Sequence, residues 1–336
     1  MPALHQQVRR TIRRYGLLPP GSRVLIGLSG GSDSVALTRL LADLAANGEF
    51  EVVGVAHFNH QLRPTAGRDE AFCREFARRL ALPIAVEEAD VAASADEQGL
   101  STEDAARRLR YTFLRRSAAA MGADRIAVGH TQDDQAETFL MKLMRGAGPT
   151  GLGGIYPRRD SVIRPLLDVT RAQLRAYLEA AGERWVEDES NEDIGNPRNR
   201  IRHRVLPELD MAAGGSTRPA IARAAALIRE DGQWLDELGH SRFRALAVET
   251  GSTVELDLQA LAETPLPILR RILLEAMRKQ AEGREIGLDH VESAIALLGA
   301  RQGGIDVPGC RVELRGRKLV LIGQGALLGD TLKSDT

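Results

Sequence analysis

The six residues Ser29-Gly30-Gly31-Ser32-Asp33-Ser34 decide the fold of this 336-residue chain. They follow a short apolar run (VLIGL, residues 24–28) that is typical of a buried strand, and they precede a helical pattern over residues 34–46. Two glycines allow a sharp turn that brings backbone N–H groups close to an anion, and the helix adds its positive N-terminal end. The hexapeptide therefore predicts a phosphate-binding loop, with an ordinary capped strand-to-helix turn as the alternative.

Asp33 is the unusual member of this loop. A carboxylate beside phosphates makes chemical sense when a metal ion lies between them, so we predict that Asp33 is a metal ligand. The loop also lacks the lysine of a Walker A motif, which disfavours transfer of a γ-phosphate.

Strand and helix patterns alternate through the first half of the chain. Strand patterns lie at residues 52–58, 83–86 and 125–129, and helical patterns at 68–80, 101–121 and 133–144. Asp104 is placed to form a capping box with Ser101 at the start of the second of these helices. This alternation predicts an α/β fold, a Rossmann-like domain with a parallel sheet and helices on both faces.

The second half has a different organisation. A glycine-rich stretch over residues 146–154 predicts an irregular loop, and Thr170 caps a helix that runs to residue 181. A boundary near residues 212–219 precedes a helical stretch over 220–245. Strands at 254–258 and 312–322, the latter turning at Gly316, and helices at 267–280 and 288–298 predict a smaller mixed helical, α+β domain. We divide the chain into residues 1–212, a helical linker over 213–245, and a C-terminal domain over 246–336.

Composition indicates a soluble globular protein. Apolar residues make up 43% and charged residues 27%, the net charge is −1, and no apolar run is long enough to span a membrane. The N-terminal residues predict a short basic helix, not a secretory signal, so we expect a cytoplasmic protein. Cys73 and Cys310 are isolated, which argues against a disulfide framework, a zinc site or an iron–sulfur cluster. Arginines cluster without acids at residues 105–123 and again at 198–204, either as phosphate contacts or as plain surface.

A second polar motif, Gly129-His130-Thr131-Gln132-Asp133-Asp134-Gln135-Ala136-Glu137-Thr138, follows the strand at 125–129. Glu137 lies three residues after Asp134 and four after Asp133, so it shares a helix face with both. Three carboxylates here could hold magnesium, orient a cationic amine or accept its proton. The alternative is that acids simply favour the first turn of a helix because of its dipole.

Together these segments resemble a known family. SGGSDS resembles the PP-loop of the ATP pyrophosphatase superfamily, whose members cleave ATP between the α- and β-phosphates. HFNHQLR (57–63), RRLRY (107–111), GHTQDDQAET, RGAGPTGLGG (145–154), WVEDESN (185–191) and RNRIRH (198–203) follow in the order seen in the tRNA isoleucine lysidine synthetases. The resemblance covers roughly residues 24–207 and is weak beyond them.

The resemblance implies an ATP-dependent ligase. Such an enzyme adenylates the wobble cytidine of an isoleucine tRNA with a CAU anticodon; the side-chain amine of free lysine then displaces AMP. The implied partners are therefore tRNA, which the C-terminal domain would recognise, and L-lysine. The implied cofactors are ATP and Mg²⁺. No membrane contact is expected, and a homodimer is left open. The alternatives are a tRNA thiolation enzyme and a non-catalytic tRNA-binding module.

The resemblance also implies roles for individual residues. ATP would be bound by Ser29, Gly30, Gly31, Ser32, Asp33 and Ser34. Catalysis would fall to Asp33, Arg110, His130, Asp133, Asp134 and Glu137, with Asp33 and Asp133 as the metal ligands. Lysine and tRNA would be bound by His60, Arg63, Arg145, Asn199, Arg200 and Arg202.

Overall fold

The chain folds into two units that divide between Ile228 and Arg229. This computed structural model describes residues 2–61, 66–187, 194–281, 283–300 and 302–323. A long helix, Arg218–Leu246, crosses the division and corresponds to the helical stretch expected at 220–245. The limits that we drew at residues 212 and 245 stay predictions.

The first unit alternates strands and helices. Its elements in chain order are α1 (Pro2–Arg14), β1 (Arg23–Gly27), α2 (Ser32–Ala45), β2 (Glu51–Asn59), α3 (Ala66–Arg79), β3 (Ile84–Glu88), α4 (Val91–Gln98), α5 (Thr102–Ala120), β4 (Arg125–Ala127), α6 (Gln132–Leu143), α7 (Pro149–Leu152), β5 (Arg158–Arg159), β6 (Val162–Ile163), α8 (Arg171–Ala180), α9 (Pro197–Arg200), α10 (Leu206–Ala213) and the start of α11 (Arg218–Leu246). A turn of π-helix, Ile201–Val205, joins α9 to α10.

The strands of this unit form one sheet in the order β3-β2-β1-β4-β6-β5. All neighbours are parallel except β5 and β6. From β1 the chain builds β2 and β3 on one side and then crosses to β4 on the other, so the strand order reverses between β1 and β4. In an open α/β sheet a ligand binds beyond the carboxyl ends of the strands at such a reversal. The predicted α/β fold with a parallel sheet is confirmed.

Both faces of the sheet are buried. Val24 and Ile26 of β1 face a core that includes α2 and α3, whereas Leu25 faces a second core that includes α5. This alternation follows from the two-residue period of a strand, and each fully buried side chain contributes about 1.5–3 kcal/mol. Only half of the capping box expected at α5 forms: Ser101 Oγ accepts a hydrogen bond from the Asp104 N–H at 3.1 Å, but the Asp104 side chain accepts from the Ser101 hydroxyl at 2.7 Å and not from its backbone N–H.

Several short elements were not predicted. Helix α4 lies where no pattern was assigned, capped by Asp90 and ended by Gly99 at φ +61°. Strands β5 and β6 have two residues each, too few to show a period. The glycine-rich stretch contains the four-residue helix α7, which begins at Pro149 and contradicts the expectation of an irregular loop throughout.

The second unit has its own core. After the C-terminal part of α11 come β7 (Val248–Thr250), β8 (Thr253–Asp257), α12 (Leu258–Ala262), α13 (Leu266–Gln280), α14 (Leu288–Leu298), β9 (Gly304–Val307), β10 (Cys310–Arg315) and β11 (Lys318–Gly323). The strands form an antiparallel sheet in the order β7-β8-β11-β10-β9. Leu273 and Met277 of α13 pack in one apolar cluster with Leu256 and Leu319 of the sheet. The turn expected at Gly316 is present at φ +59°, and the predicted α+β domain is confirmed.

Within the described ranges, no helix has both the length and the apolar character needed to cross a membrane.

Both cysteines should be chemically inert in the folded protein. Cys73 is 0% and Cys310 1% exposed. Burial raises the pKa of Cys73 to about 12 and that of Cys310 to about 11, so both remain thiols at pH 8. We expect negligible reaction with a thiol-specific disulfide reagent at pH 8 in the native state and reaction of two thiols in guanidinium chloride. Rapid labelling of the native protein would show that one thiol is accessible.

Candidate active site

The predicted phosphate loop turns sharply between β1 and α2. Gly30 adopts φ +89°, a left-handed conformation that favours glycine, and its C=O accepts a hydrogen bond from the Val186 N–H at 2.9 Å. Ser34 Oγ accepts from the Ser29 N–H at 3.1 Å and donates to the Gly31 C=O at 3.0 Å. No side chain caps the start of α2. The first N–H groups of this helix therefore point to a position that suits an anion.

The GHTQDDQAET motif lies directly against this loop. A Cβ at Gly129 would lie 3.1 Å from the Asp33 carbonyl carbon and 3.2 Å from the Ser34 nitrogen. These contacts are tighter than most Cβ atoms make, so a side chain at this position would require the backbone of Asp33 and Ser34 to move by a few tenths of an ångström. The structure thus brings together two motifs that are about a hundred residues apart, at the carboxyl ends of adjacent strands.

A capping box fixes the first turn of α6. Asp134 Oδ2 accepts a hydrogen bond from the Thr131 N–H at 2.8 Å, and Thr131 Oγ1 accepts from the Asp134 N–H at 3.3 Å. One turn later, Glu137 is 0% exposed. Of the two acids expected to share a face of α6 with Glu137, Asp134 contacts the same guanidinium as Glu137, that of Arg171. Asp133 Oδ1 contacts Arg218 Nε at 3.0 Å.

Arg171, which was not predicted from the sequence, lies among the four carboxylates. Its Nε donates to Asp33 Oδ2 at 3.0 Å and its Nη2 to Asp134 Oδ1 at 3.3 Å. Its Nη1 lies 3.8 Å from Glu137 Oε1. Its backbone N–H donates to Asp133 Oδ2 at 2.8 Å. One residue therefore contacts every carboxylate that was expected to act in catalysis.

Three more arginines complete this charge network. Arg202 donates two hydrogen bonds to Glu137, from Nε to Oε1 at 2.7 Å and from Nη2 to Oε2 at 3.1 Å. A bidentate pair of this kind is among the strong charge-assisted hydrogen bonds of proteins. Arg198 Nη1 lies 3.9 Å from Asp134 Oδ1. Arg218 contacts Asp133, so each carboxylate has at least one arginine partner. We call these eight residues the carboxylate–arginine network: Asp33, Asp133, Asp134, Glu137, Arg171, Arg198, Arg202 and Arg218.

The sequence did contain a signal for two of these arginines. Arg171 is the first residue of α8, after the cap Thr170, and Arg218 is the first residue of α11. A cation at the N-terminus of a helix opposes the helix dipole. An arginine at that position therefore indicates a nearby anion, which here is a carboxylate.

The carboxylates differ in basicity. Burial raises the pKa of Asp33, against the opposing charge of Arg171, and burial likewise raises the pKa of Glu137 against its Arg202 hydrogen bonds. Burial also acts to raise the pKa of Asp134, but Arg171, His130 and the Thr131 hydrogen bonds outweigh it and lower that pKa. Asp33 and Glu137 are therefore the carboxylates better suited to accept a proton.

Arg110 and His130 lie in a different environment. The guanidinium of Arg110 lies 5.3 Å from the Tyr111 ring centroid, and that of Arg107 5.0 Å. Burial lowers the pKa of His130 to about 3; Asp134 opposes this shift, and Arg164, Arg110 and Arg107 reinforce it. The imidazole is therefore neutral at neutral pH, and its Nδ1 has no hydrogen-bond partner.

The remaining predicted residues are spread more widely. His60 is half-buried and contacts Phe58 edge-on, with 4.8 Å between ring centroids. Asn199 is buried, whereas Arg145 and Arg200 are exposed. Arg202 belongs to the carboxylate–arginine network through Glu137. Arg63, and Asp188 to Asn191 of the WVEDESN motif, lie outside the described residues.

These residues fit ATP and magnesium by the chemistry of their donors. The phosphate loop offers backbone N–H groups and serine hydroxyls to phosphate oxygens. Magnesium usually takes one or two protein carboxylates and completes its coordination with phosphates and water. Asp33 and Asp133 offer that number, although each is paired with an arginine here. Nowhere in the described ranges do three potential ligand side chains form a metal cluster.

The first unit is thus a nucleotide-binding α/β domain with a phosphate loop at the reversal point of its sheet, and comparisons agree. A sequence profile of the PP-loop domain matches residues 3–209, which implies use of ATP. A relative from Symbiobacterium thermophilum, named tRNA(Ile)-lysidine synthase, is 39% identical over 322 residues, covering 92% of this chain and 66% of the relative. The protein of the same name from Leifsonia xyli is 37% identical and covers 88% of each chain.

On these matches the chain belongs to the tRNA(Ile)-lysidine synthase family of PP-loop proteins, which confirms the resemblance drawn from its motifs. The chain spans 66% of the length of the Symbiobacterium relative and 63% of that of a Geobacter sulfurreducens relative. Among solved structures, the U34-tRNA thiolase NcsA from Methanococcus maripaludis superposes with a TM-score of 0.56 over 68% of this chain and 78% of that chain, at 18% identity. That likeness supports the fold alone.

Gly129→Ala should weaken ATP binding. The new Cβ would force the backbone of Asp33 and Ser34 to shift, and overpacking of this kind costs about 1–3 kcal/mol. We expect ATP affinity to fall about tenfold or more, measured by calorimetry. The matched control is Gly67→Ala, where a Cβ would meet no atom within 4 Å. Wild-type ATP affinity in Gly129→Ala would show that ATP binding by the phosphate loop does not depend on its close contact with Gly129.

Proposed function

We propose that the chain catalyses ATP-dependent formation of lysidine in an isoleucine tRNA with a CAU anticodon. The observation that carries the proposal is the meeting of a phosphate loop with a buried carboxylate–arginine network at the edge of one sheet. The phosphate loop would bind and activate the nucleotide, and the adjacent carboxylates would bind a cationic substrate. The name that the relatives share, tRNA(Ile)-lysidine synthase, supports this choice among PP-loop reactions.

In the first step, O2 of the wobble cytidine attacks the α-phosphorus of ATP and pyrophosphate leaves. Ser29 to Ser34 would hold the phosphates through N–H groups and hydroxyls. Adenylation is needed because a pyrimidine carbonyl oxygen is a poor leaving group. Arg110 would neutralise charge at the α-phosphate or at the cytidine oxygen.

Magnesium would be held by Asp33 and Asp133, and when bound it would neutralise charge on the leaving pyrophosphate. The two arginines that now contact these carboxylates, Arg171 and Arg218, would remain close enough to share in that role. Ser32 Oγ donates to Asp33 Oδ1 at 3.2 Å and so restrains the orientation of this carboxylate.

In the second step, the lysine amine attacks C2 of the adenylated cytidine and AMP leaves. An ammonium must first lose its proton. Glu137 is the better acceptor in the free protein, because burial has raised its pKa. His130 is a poor base chiefly because it is buried, and the charges of Arg164, Arg110 and Arg107 lower its pKa further; a bound phosphate would offset those charges and raise the pKa of the imidazole.

Substrate contacts would lie around this centre. Exposed Arg145 and Arg200 suit tRNA phosphates, and His60 lies just beyond the carboxyl end of β2, on the same edge of the sheet. Asn199 and Arg202, which is bound to Glu137, would lie nearer to lysine or the target base. The second unit would add tRNA contacts away from the anticodon.

The direct test supplies the chain with ATP, labelled lysine and an unmodified isoleucine tRNA transcript. We expect the label to enter tRNA, with one AMP and one pyrophosphate released per lysine. A methionine tRNA transcript with the same anticodon is the control for recognition. RNA binding with no lysine transfer would identify a non-catalytic module, and sulfur transfer to the tRNA would identify a thiolation enzyme. Either result would overturn the proposal.

Asp33→Asn should slow this reaction strongly. The amide keeps the size of the side chain but cannot serve as an anionic metal ligand, so we expect at least about a hundredfold loss of kcat, equivalent to about 3 kcal/mol. The matched control is Asp96→Asn, which changes an exposed carboxylate of α4. Melting temperature checks folding in both variants. Near-normal lysine transfer by Asp33→Asn would remove Asp33 from the catalytic set.

A further inference from the structure

Arg164 is a buried cation without an acidic partner. It follows β6 at the carboxyl edge of the sheet and is 5% exposed. Its Nη1 donates to the Tyr156 C=O at 2.8 Å, but its Nε has no hydrogen-bond partner. In the described part of the chain no carboxylate forms an ion pair with it. A buried charge without a counter-ion costs several kcal/mol of folding free energy, so the presence of an arginine at this position needs an explanation.

Two more arginines converge on the same place. Arg107 and Arg110 of α5 lie over the ring of Tyr111, and Arg164 lies close enough to Tyr111 to lower its pKa together with them, against the effect of burial. Arg110 Nε has no hydrogen-bond partner either. Neither Arg107 nor Arg110 pairs with an acid among the described residues. We call Arg107, Arg110 and Arg164 the unpaired arginine cluster.

The contrast with the carboxylate–arginine network is informative. Arg171, Arg202 and Arg218 each contact a carboxylate within 3.0 Å, whereas no member of the unpaired arginine cluster forms an ion pair with an acid of the described residues. Asp134, the carboxylate whose charge acts on His130, is already paired with Arg171. A neutral amide could contact the Tyr156 carbonyl and the Tyr111 hydroxyl without the cost of a buried charge, so these two contacts do not explain Arg164.

We propose that Arg164, together with Arg107, binds a phosphodiester group of the RNA substrate next to the target base, beside Arg110, whose charge acts at the α-phosphate or the cytidine oxygen. The inference rests on the proposed function, since it takes the substrate to be RNA. Arg107 and Arg110 lie over the Tyr111 ring and Arg164 lies beside its hydroxyl, so three guanidinium groups gather around one tyrosine side chain. A guanidinium can bind a phosphate with two hydrogen bonds.

The position of the cluster favours RNA over ATP as the source of the phosphate. Arg164 follows β6, which is two strands away from β1 in the sheet. At about 4.8 Å per strand, that is about 10 Å from the phosphate loop. The loop and the start of α2 already provide donors for the nucleotide. A separate site would anchor the RNA backbone while its base reaches toward ATP.

The test uses Arg164→Met in the full chain, with Arg108→Met as the matched control. Arg108 lies on α5, between Arg107 and Arg110 in sequence, but is exposed and donates to Gln98 Oε1 at 2.9 Å. Affinity for unmodified isoleucine tRNA is measured across a range of salt concentrations, together with ATP affinity and melting temperature. For Arg164→Met we expect about tenfold weaker tRNA binding and a salt slope that is smaller by about one counterion. ATP affinity should not change, and the melting temperature should stay equal or rise.

The outcomes separate the sources of phosphate and the two proposals. Unchanged tRNA affinity and salt slope, or an equal loss in Arg108→Met, would overturn the site. Loss of ATP affinity alone would assign the phosphate to the nucleotide instead. If Arg164→Met fails to fold, Arg164→Lys replaces it in the test. This variant should keep the salt slope but bind tRNA several-fold more weakly. Wild-type tRNA affinity in Arg164→Lys would count against the site. The binding measurements do not depend on catalysis. A wild-type chain that binds tRNA but transfers no lysine would therefore contradict the proposed function and leave the proposed phosphate site in place.

Discussion

The active site depends on the compensation of clustered negative charge. Asp33, Asp134 and Glu137 all lie within 3.8 Å of the Arg171 guanidinium, so they lie close to one another as well. Two like charges about 4 Å apart repel by about 4 kcal/mol at an effective dielectric constant of 20. Without cations the carboxylates would protonate or separate. Arg171 is therefore the residue that allows the loop after β1 and the helix after β4 to meet.

The same compensation organises the surrounding chain. Arg171 begins α8, Arg198 lies in α9, Arg202 lies in the π-helical turn and Arg218 begins α11. Each of these segments is held to the strand ends by an ion pair with α2 or α6. A lysine ammonium or a magnesium ion would enter a site whose charges are already balanced, so it must take over contacts that an arginine now makes. Rearrangement of arginines is thus a necessary part of substrate binding in this site.

The sequence predicted the fold and the acids better than it predicted the arginines. A strand such as β1 and a cap such as Ser101 depend on local patterns, and those predictions were confirmed. SGGSDS and GHTQDDQAET could be placed together because both follow strands of one parallel sheet. Arg171 was missed because its position at the start of α8 indicates an anion without identifying it, and the carboxylates that it meets lie on α2 and α6. Arg164 was missed because its proximity to Tyr111 depends on the tertiary fold, for which one sequence gives no direct signal. The residue-by-residue roles assigned from the family resemblance stay predictions.

His130 lies at the boundary between two kinds of electrostatic environment. On one side Asp134 belongs to the carboxylate–arginine network, whose charges are balanced within the protein. On the other side Arg107, Arg110 and Arg164 have no acid, so that side becomes balanced only when an anion arrives. The pKa of His130 is low chiefly because the ring is buried, and the uncompensated charges of Arg164, Arg110 and Arg107 lower it further. An anion bound there would raise it and make the imidazole a better base only when substrate is in place. Coupling of this kind links the proton chemistry of the site to the presence of its substrate through charge alone, with no movement of the backbone required.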